Sequence, residues 1–203
     1  MKLINSIGPN PRVVRMFMAE RGLDIDLIEV DLIAGENRQP DYLIRNPSGT
    51  TPALQLDDGQ HVAEITAICE YLDDKNGNSE LIGTNAEDRA ETRMWTRRID
   101  LQIVENLTNG FRYSEGLPMF KERLRTIPHA ADDLKTLAQE RLTWLDKQMN
   151  GKQFVCGERF TLADILLYAF LDFGVSVGQP INAANQNIVA WMARVKQRPS
   201  VDA

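Results

Sequence analysis

Two short stretches hold the residues best placed for chemistry: Asn46-Pro-Ser-Gly-Thr-Thr51-Pro52-Ala-Leu-Gln-Leu56 and Glu64-Ile65-Thr66-Ala67-Ile68. A proline entering a strand is confined to its start or to a sheet edge. Thr51 therefore keeps a main-chain N–H and C=O for something outside the sheet. X-Pro is also the one bond where the cis form is accessible, about 0.5–1 kcal/mol above trans. Glu64 stands where the chain turns into a helix, and the free amide hydrogens of a helix start attract carboxylates. A strand edge, an acid and a helix N-terminus together suit a small zwitterionic peptide.

The elements that must position these residues are legible in the pattern. Leu3–Ser6 reads as a strand, and Pro11 opens a helix whose buried face is Val13, Val14, Met16, Phe17 and Met18, ended by Gly22. Asp26–Asp31 alternates with period two and reads as a second strand. Pro40–Ile44 makes a helical turn or two. Ala53–Leu56 and Gln60–Val62 are strands joined by the turn Asp57-Asp58-Gly59. A helix over Thr66–Asp74 closes the series. Lys75–Ser79 is a polar, Gly-containing break, after which the pattern is helical throughout. The expected helices there are Glu87–Asn109, Pro128–Met149, one beginning at Thr161-Leu-Ala-Asp164 with a capping box, and one near Asn187–Gln197. The fold class is thus α/β followed by all-α, with domains at 1–75 and 85–203.

Composition narrows the function. The 203 residues are 43% hydrophobic and 26% charged, and the formal net charge is −6. An acidic chain without Lys/Arg runs argues against a nucleic-acid partner. No apolar run approaches the ~20 residues of a membrane helix, so no membrane partner is expected. The two cysteines, Cys69 and Cys156, are unclustered and read as inert core thiols of a reduced, cytoplasmic protein without a signal peptide. His61 and His129 are isolated, and no metal site is expected.

In its Asn46-Pro-x-Gly-x-x-Pro52 loop, its acid at Glu64 before Ala67-Ile68-x-x-Tyr71-Leu72, its Thr161-x-Ala-Asp164 cap and its ending Trp191-x-x-Arg194-x-x-x-Arg198-Pro199, the chain resembles the cytosolic glutathione transferase family over essentially its whole length. The closest likeness is to atypical bacterial and fungal members that lack the usual catalytic side chain. The resemblance implies a thioredoxin-like N-terminal domain that binds glutathione as co-substrate and a helical-bundle domain that contributes the electrophile pocket. It further implies a homodimer active in detoxification. Thr51, before a cis Pro52, would pair its main chain with glutathione, as an added strand does. Glu64 would hold the γ-glutamyl ammonium and the Ile65 amide the γ-glutamyl carboxylate. Ile65 lacks the hydroxyl most members carry there, which lowers the expected affinity. Asn37 and Arg38 would meet the glycyl carboxylate, and Asp100 would reach the partner subunit's γ-glutamyl group. The places that hold Tyr, Ser or Cys in other classes hold Ser6, Gly8 and Asn10 here, which counts against thiol–disulfide exchange. Asn10 is the first candidate for the thiolate donor and Ser6 the second. A third is a water held near Tyr113 and Ser114. Ile7, Pro9, Phe111, Tyr113, Ser114 and the region of Phe170 and Phe173 are expected at the electrophile. The expected reaction is glutathione conjugation to apolar electrophiles. The alternatives are glutathione-dependent peroxide reduction and a non-catalytic glutathione-binding role.

Overall fold

Strand β1 (Lys2–Asn5) buries Leu3 and Ile4 completely and is the spine of a four-stranded sheet, in the order β2-β1-β3-β4. In the computed structural model, which describes residues 1–203, this sheet belongs to the first of two units. That unit is Met1–Ser79 with Pro199–Ala203; the second is Glu80–Arg198. Strand β2 (Asp26–Glu29) runs parallel to β1, with Leu3 opposite Leu27. The crossover between them is α1 (Pro9–Glu20). This helix starts two residues before the expected Pro11, because Pro9 occupies its first position, where a missing N–H costs nothing. It ends in a left-handed Gly22 (φ +61°), with Leu23 N–H donating to Met18 O at 2.9 Å and Gly22 N–H to Ala19 O at 3.1 Å. That is a Schellman closure, which satisfies the last carbonyls.

After a short α2 (Pro40–Leu43) come β3 (Ala53–Gln55) and β4 (His61–Ala63), antiparallel, with Ala53 opposite Ala63. Gly59 (φ +86°) turns the hairpin, and Leu56 N–H donates to Gln60 O at 2.8 Å. Helix α3 (Ile65–Lys75) closes the unit. Its last turn carries Asp73, fully buried, whose Oδ1 lies 3.0 Å from Arg21 Nη1 and accepts from Ser79 Oγ at 2.6 Å. Arg21 Nη2 also donates to the carbonyls of Asn76 (3.0 Å) and Gly77 (2.6 Å), so one guanidinium serves both a buried charge and the chain leaving α3. The expected boundary at 203 for the helical domain shifts here. Pro199–Asp202 forms a 3-10 turn of the first unit, where Val201 O accepts from Arg12 Nη2 (3.1 Å) and Ser200 Oγ donates to Glu20 (2.6 Å).

The second unit is helical. The expected continuous helix Glu87–Asn109 is α4 (Ala86–Ile99) and α5 (Glu105–Arg112) separated by a π turn over Asp100–Val104. Next come α6 (Leu117–Phe120), α7 (Ala131–Gln148), α8 (Leu162–Ser176) and α9 (Gln186–Val195). Helix α8 is buried along nearly its whole length and is the core of the unit. Its N-terminus carries the expected capping box, with Asp164 Oδ2 accepting from Thr161 N–H at 2.9 Å. Asp164 does more than cap. Its Oδ1 also accepts from Val155 N–H (2.9 Å) and from the indole Nε1 of buried Trp191 (2.8 Å), which ties α8, α9 and the preceding loop together. Arg194 and Arg198 of the ending motif are structural as well. Arg194 Nη1 donates to Gln153 O at 2.6 Å, and the Arg198 guanidinium lies 3.9 Å from the Phe160 ring centroid. No helix is long and apolar enough to cross a membrane.

Candidate active site

Three loops of the first unit converge at one end of its sheet. The register explains the convergence. Ile4 pairs with Ala53 and Ala53 with Ala63, so the residues just beyond these rungs (Ser6, Thr51 and Glu64) are brought side by side.

The middle loop is held rigidly. The carbonyl of Thr50 accepts from the Tyr42 hydroxyl and from Asn46 Nδ2 at 2.8 Å. Asn46 Oδ1 in turn accepts from Ser48 Oγ at 2.7 Å. Burial pushes the Tyr42 phenol above its ordinary pKa, which keeps it a proton donor. Asn37 is buried and spends its amide on Gly49 O at 2.6 Å. Gly49 sits at φ +63°, a backbone region that favours glycine, and a Cβ there would also come 3.1 Å from the backbone Asn37 O. Arg38 itself is exposed. The Thr51–Pro52 bond is cis, as expected. Because the ladder stops at Ala53, the N–H and C=O of Thr51 lie past the last paired rung.

Glu64 is exposed and has φ +71°, ψ 123°, the single positive φ outside glycine. A non-glycine residue in such a region carries about 1–3 kcal/mol of strain, and such residues cluster at ligand sites. The first backbone bond of α3 runs from Ile68 N–H to Glu64 O at 2.9 Å. The amides of Ile65, Thr66 and Ala67 therefore have no intrahelical partner and make an anion cradle beside the Glu64 carboxylate.

The third loop leads from β1 into α1. Of the first-turn positions Pro9, Asn10 and Pro11, only Asn10 has a backbone N–H, and its side-chain amide adds a second donor at the positive end of the helix. Ile7 is 63% exposed beside it. Ser6 is 2% exposed, and its Oγ lies 2.5 Å from Thr51 Oγ1 and 3.1 Å from Ile7 O. Sequence reasoning missed what stands behind this loop. Arg15 Nη1 donates to Asn5 Oδ1 at 2.7 Å and lies 3.5 Å from Ser6 O, while Asn5 Nδ2 donates to Glu29 at 2.7 Å. Nothing in the local pattern around Arg15 signals these partners.

In the helical unit, Phe111 meets Phe173 edge-to-face at 5.0 Å and Phe120 at 6.1 Å. Phe170, expected near the electrophile, is instead 1% exposed, because α8 is apolar on almost every face and buries it in the core. Tyr113 ends α5, and Ser114 Oγ lies 2.5 Å from both Gly110 O and Glu115 Oε2. Asp100 is the first residue of the π turn, 3.8 Å from Arg97. Burial raises the Cys69 thiol well above its ordinary pKa and the Cys156 thiol to about 11, so both are neutral, unreactive groups.

Comparison with known proteins identifies the family of the chain. The model of "Glutathione S-transferase, N-terminal domain" matches residues 7–75, and that of "Glutathione S-transferase, C-terminal domain" matches residues 115–199. The chain is 30% identical to glutathione S-transferase 2 of Saccharomyces cerevisiae, over 96% of this chain and 84% of that protein. It is 29% identical to glutathione S-transferase GstA of Escherichia coli O157:H7, over 99% and 95% of the two chains. The crystal structure of Gtt2 from Saccharomyces cerevisiae superposes with a TM-score of 0.93 at 29% identity, covering 100% of this chain and 99% of that one.

Proposed function

The chain belongs to the glutathione S-transferase family, and from that membership we propose how its own residues carry out glutathione transfer. The enzyme conjugates glutathione to electrophilic substrates. In our reading the tripeptide lies as an extra strand on the N–H and C=O of Thr51. Glu64 pairs with the γ-glutamyl ammonium, and the amides of Ile65 and Thr66 bind the γ-glutamyl carboxylate. Arg38 pairs with the glycyl carboxylate, while Asn37 holds the loop through Gly49. This places the cysteinyl sulfur toward the start of α1. The observation that carries the reading is the convergence of Thr51, the strained Glu64 and the α1 start at one end of one sheet.

A free thiol has a pKa near 8.5 and is mostly protonated at neutral pH. The Asn10 N–H and side-chain amide, with the positive end of α1 behind them, stabilise the thiolate. A drop of about 2 units corresponds to about 2.7 kcal/mol. The S–H proton leaves to water, and the thiolate forms a C–S bond. In substitution the carbon–halogen bond breaks and halide leaves; in addition the π bond breaks and the neighbouring carbon takes a proton from water. Exposed Ile7, with Pro9 beside it in sequence, is assigned to the apolar electrophile. We further assign the protein a cytoplasmic setting, a detoxifying role and a homodimeric assembly that includes Asp100, on the family likeness.

The test is an aryl halide beside an organic hydroperoxide as second substrates. Conjugation of the halide supports the reading; good peroxidase rates with no halide turnover would replace it with peroxide reduction. In Asn10→Ala the bound thiol is expected to titrate higher and turnover to fall about tenfold, with glutathione affinity almost unchanged. Unchanged rates in that variant would remove Asn10 from the chemistry. Ile65→Ser restores a hydroxyl at the carboxylate cradle and is expected to tighten glutathione binding about fivefold in calorimetry.

A further inference from the structure

Ser6 stands at the place where a hydroxyl would be a thiolate donor, but its surroundings assign it different work. Its side chain is 2% exposed, and it has one proton to give. Two acceptors are already in reach: Thr51 Oγ1 at 2.5 Å and Ile7 O at 3.1 Å. If the proton goes to Ile7 O, Thr51 donates to Ser6 Oγ; if it goes to Thr51 Oγ1, Ile7 O is left to others. In both arrangements the Ser6 proton is spent within the protein. The main chain of Ser6 is fixed too, with Arg15 3.5 Å from its carbonyl and bonded at 2.7 Å to Asn5, which is itself oriented by Glu29.

We propose that the Ser6–Thr51 hydroxyl pair is a latch, and that Ser6 is a positioning residue for glutathione transfer rather than a catalytic one. The latch rests on the proposed docking of glutathione at Thr51. Thr51 supplies the main-chain edge that holds the tripeptide, while Ser6 leads through Ile7 and Gly8 into the α1 start that faces its sulfur. One hydrogen bond between side chains distant in sequence thus sets the spacing between the part of the site that holds the peptide and the part that ionises its thiol. Loosening it costs a ligand that must meet both.

The test is a double-mutant cycle of Ser6→Ala, Thr51→Val and the pair, with Thr51→Ser as the variant that keeps the hydroxyl. Glutathione affinity is measured by calorimetry and the bound thiol by its thiolate absorbance against pH. Each single variant is expected to weaken glutathione about fivefold. The double variant should weaken it by the same factor, because the two changes remove one interaction. The two singles should shift the thiol titration alike, and Thr51→Ser, which keeps the hydroxyl, should lose less affinity and shift the titration less than Thr51→Val. Two results would overturn the latch. One is a thiol pKa raised in Ser6→Ala but unchanged in Thr51→Val, which would make Ser6 the thiolate donor. The other is a double variant weakened about 25-fold, the product of independent effects. The same cycle read as melting temperature without glutathione tests the hydroxyl pair by itself. A wild-type protein that binds no glutathione would sink the docking assignment, while coupling in the melting cycle would still report on the pair.

Discussion

Replacing Asp164 with alanine is expected to lower the melting temperature by about 10 °C. Its carboxylate is fully buried and accepts from the Thr161 N–H and hydroxyl, the Val155 N–H and the Trp191 indole. Each buried donor left without a partner costs about 1–3 kcal/mol. Loss of a buried charged network of this kind amounts to about 3–5 kcal/mol, and in a chain of this size each kcal/mol moves the midpoint by about 2–4 °C. Thr161→Val, which removes one donor and keeps the shape, should cost about 1 kcal/mol. Burial pushes the Asp164 carboxyl up to about 6 from an ordinary 3.8, against the four hydrogen bonds that favour its charged form. A folded pKa raised above the unfolded one gives stability that is complete below the lower value and lost as pH rises through the upper one. The gap between wild type and Asp164→Ala should therefore be wider near pH 4 than near pH 7. Thermal melts at the two pH values check this, and a gap that widens with pH would contradict it. Glutathione affinity below the melting range should be intact, since Asp164 lies in the helical unit.

The largest functional loss is expected at Glu64. Glu64→Gln keeps the shape of the side chain and removes its charge, so an ammonium held there loses a charge-assisted bond worth about 1.5–3 kcal/mol. Glutathione binding should weaken about 10- to 100-fold by calorimetry, with turnover at saturating glutathione much less affected. Glu64 already occupies an unfavourable backbone region. Glu64→Gly should therefore relieve strain and raise the melting temperature while abolishing the ammonium contact. Loss of affinity together with gain of stability is the signature of a residue kept for its ligand. A glycine variant that is both less stable and equally tight would make Glu64 an ordinary structural acid.

Much of the fold was legible because its signals are local. Gly22 after the apolar face of α1, Asp57-Asp58-Gly59 between alternating runs, and Thr161 three residues before Asp164 each specify a turn or cap within a few residues. The start of α1 was misplaced because both Pro9 and Pro11 suit a first helical turn, and spacing alone does not choose between them. The π turn was invisible for a related reason. Trp95, Ile99, Ile103 and Leu107 keep a spacing of four on both sides of it, and a buried stripe tolerates that whether or not one turn is widened. The cis Thr51–Pro52 bond and the turn into a helix at Glu64 were readable from Asn46, Thr51, Pro52 and Glu64. The braces were not, because Ser6 finds Thr51, Asn5 finds Glu29 and Trp191 finds Asp164 only after the chain has folded. Buried polar side chains satisfied over long sequence distances leave no periodic trace.

The central claim is that this end of the sheet holds glutathione with its sulfur ionised at the start of α1. The direct measurement is ultraviolet difference spectroscopy of the enzyme–glutathione complex across pH, with S-methylglutathione as the blank. The account predicts thiolate absorbance that titrates about 2 units below the free thiol value near 8.5. A bound thiol that titrates as it does in water, or no saturable signal at all, would contradict it.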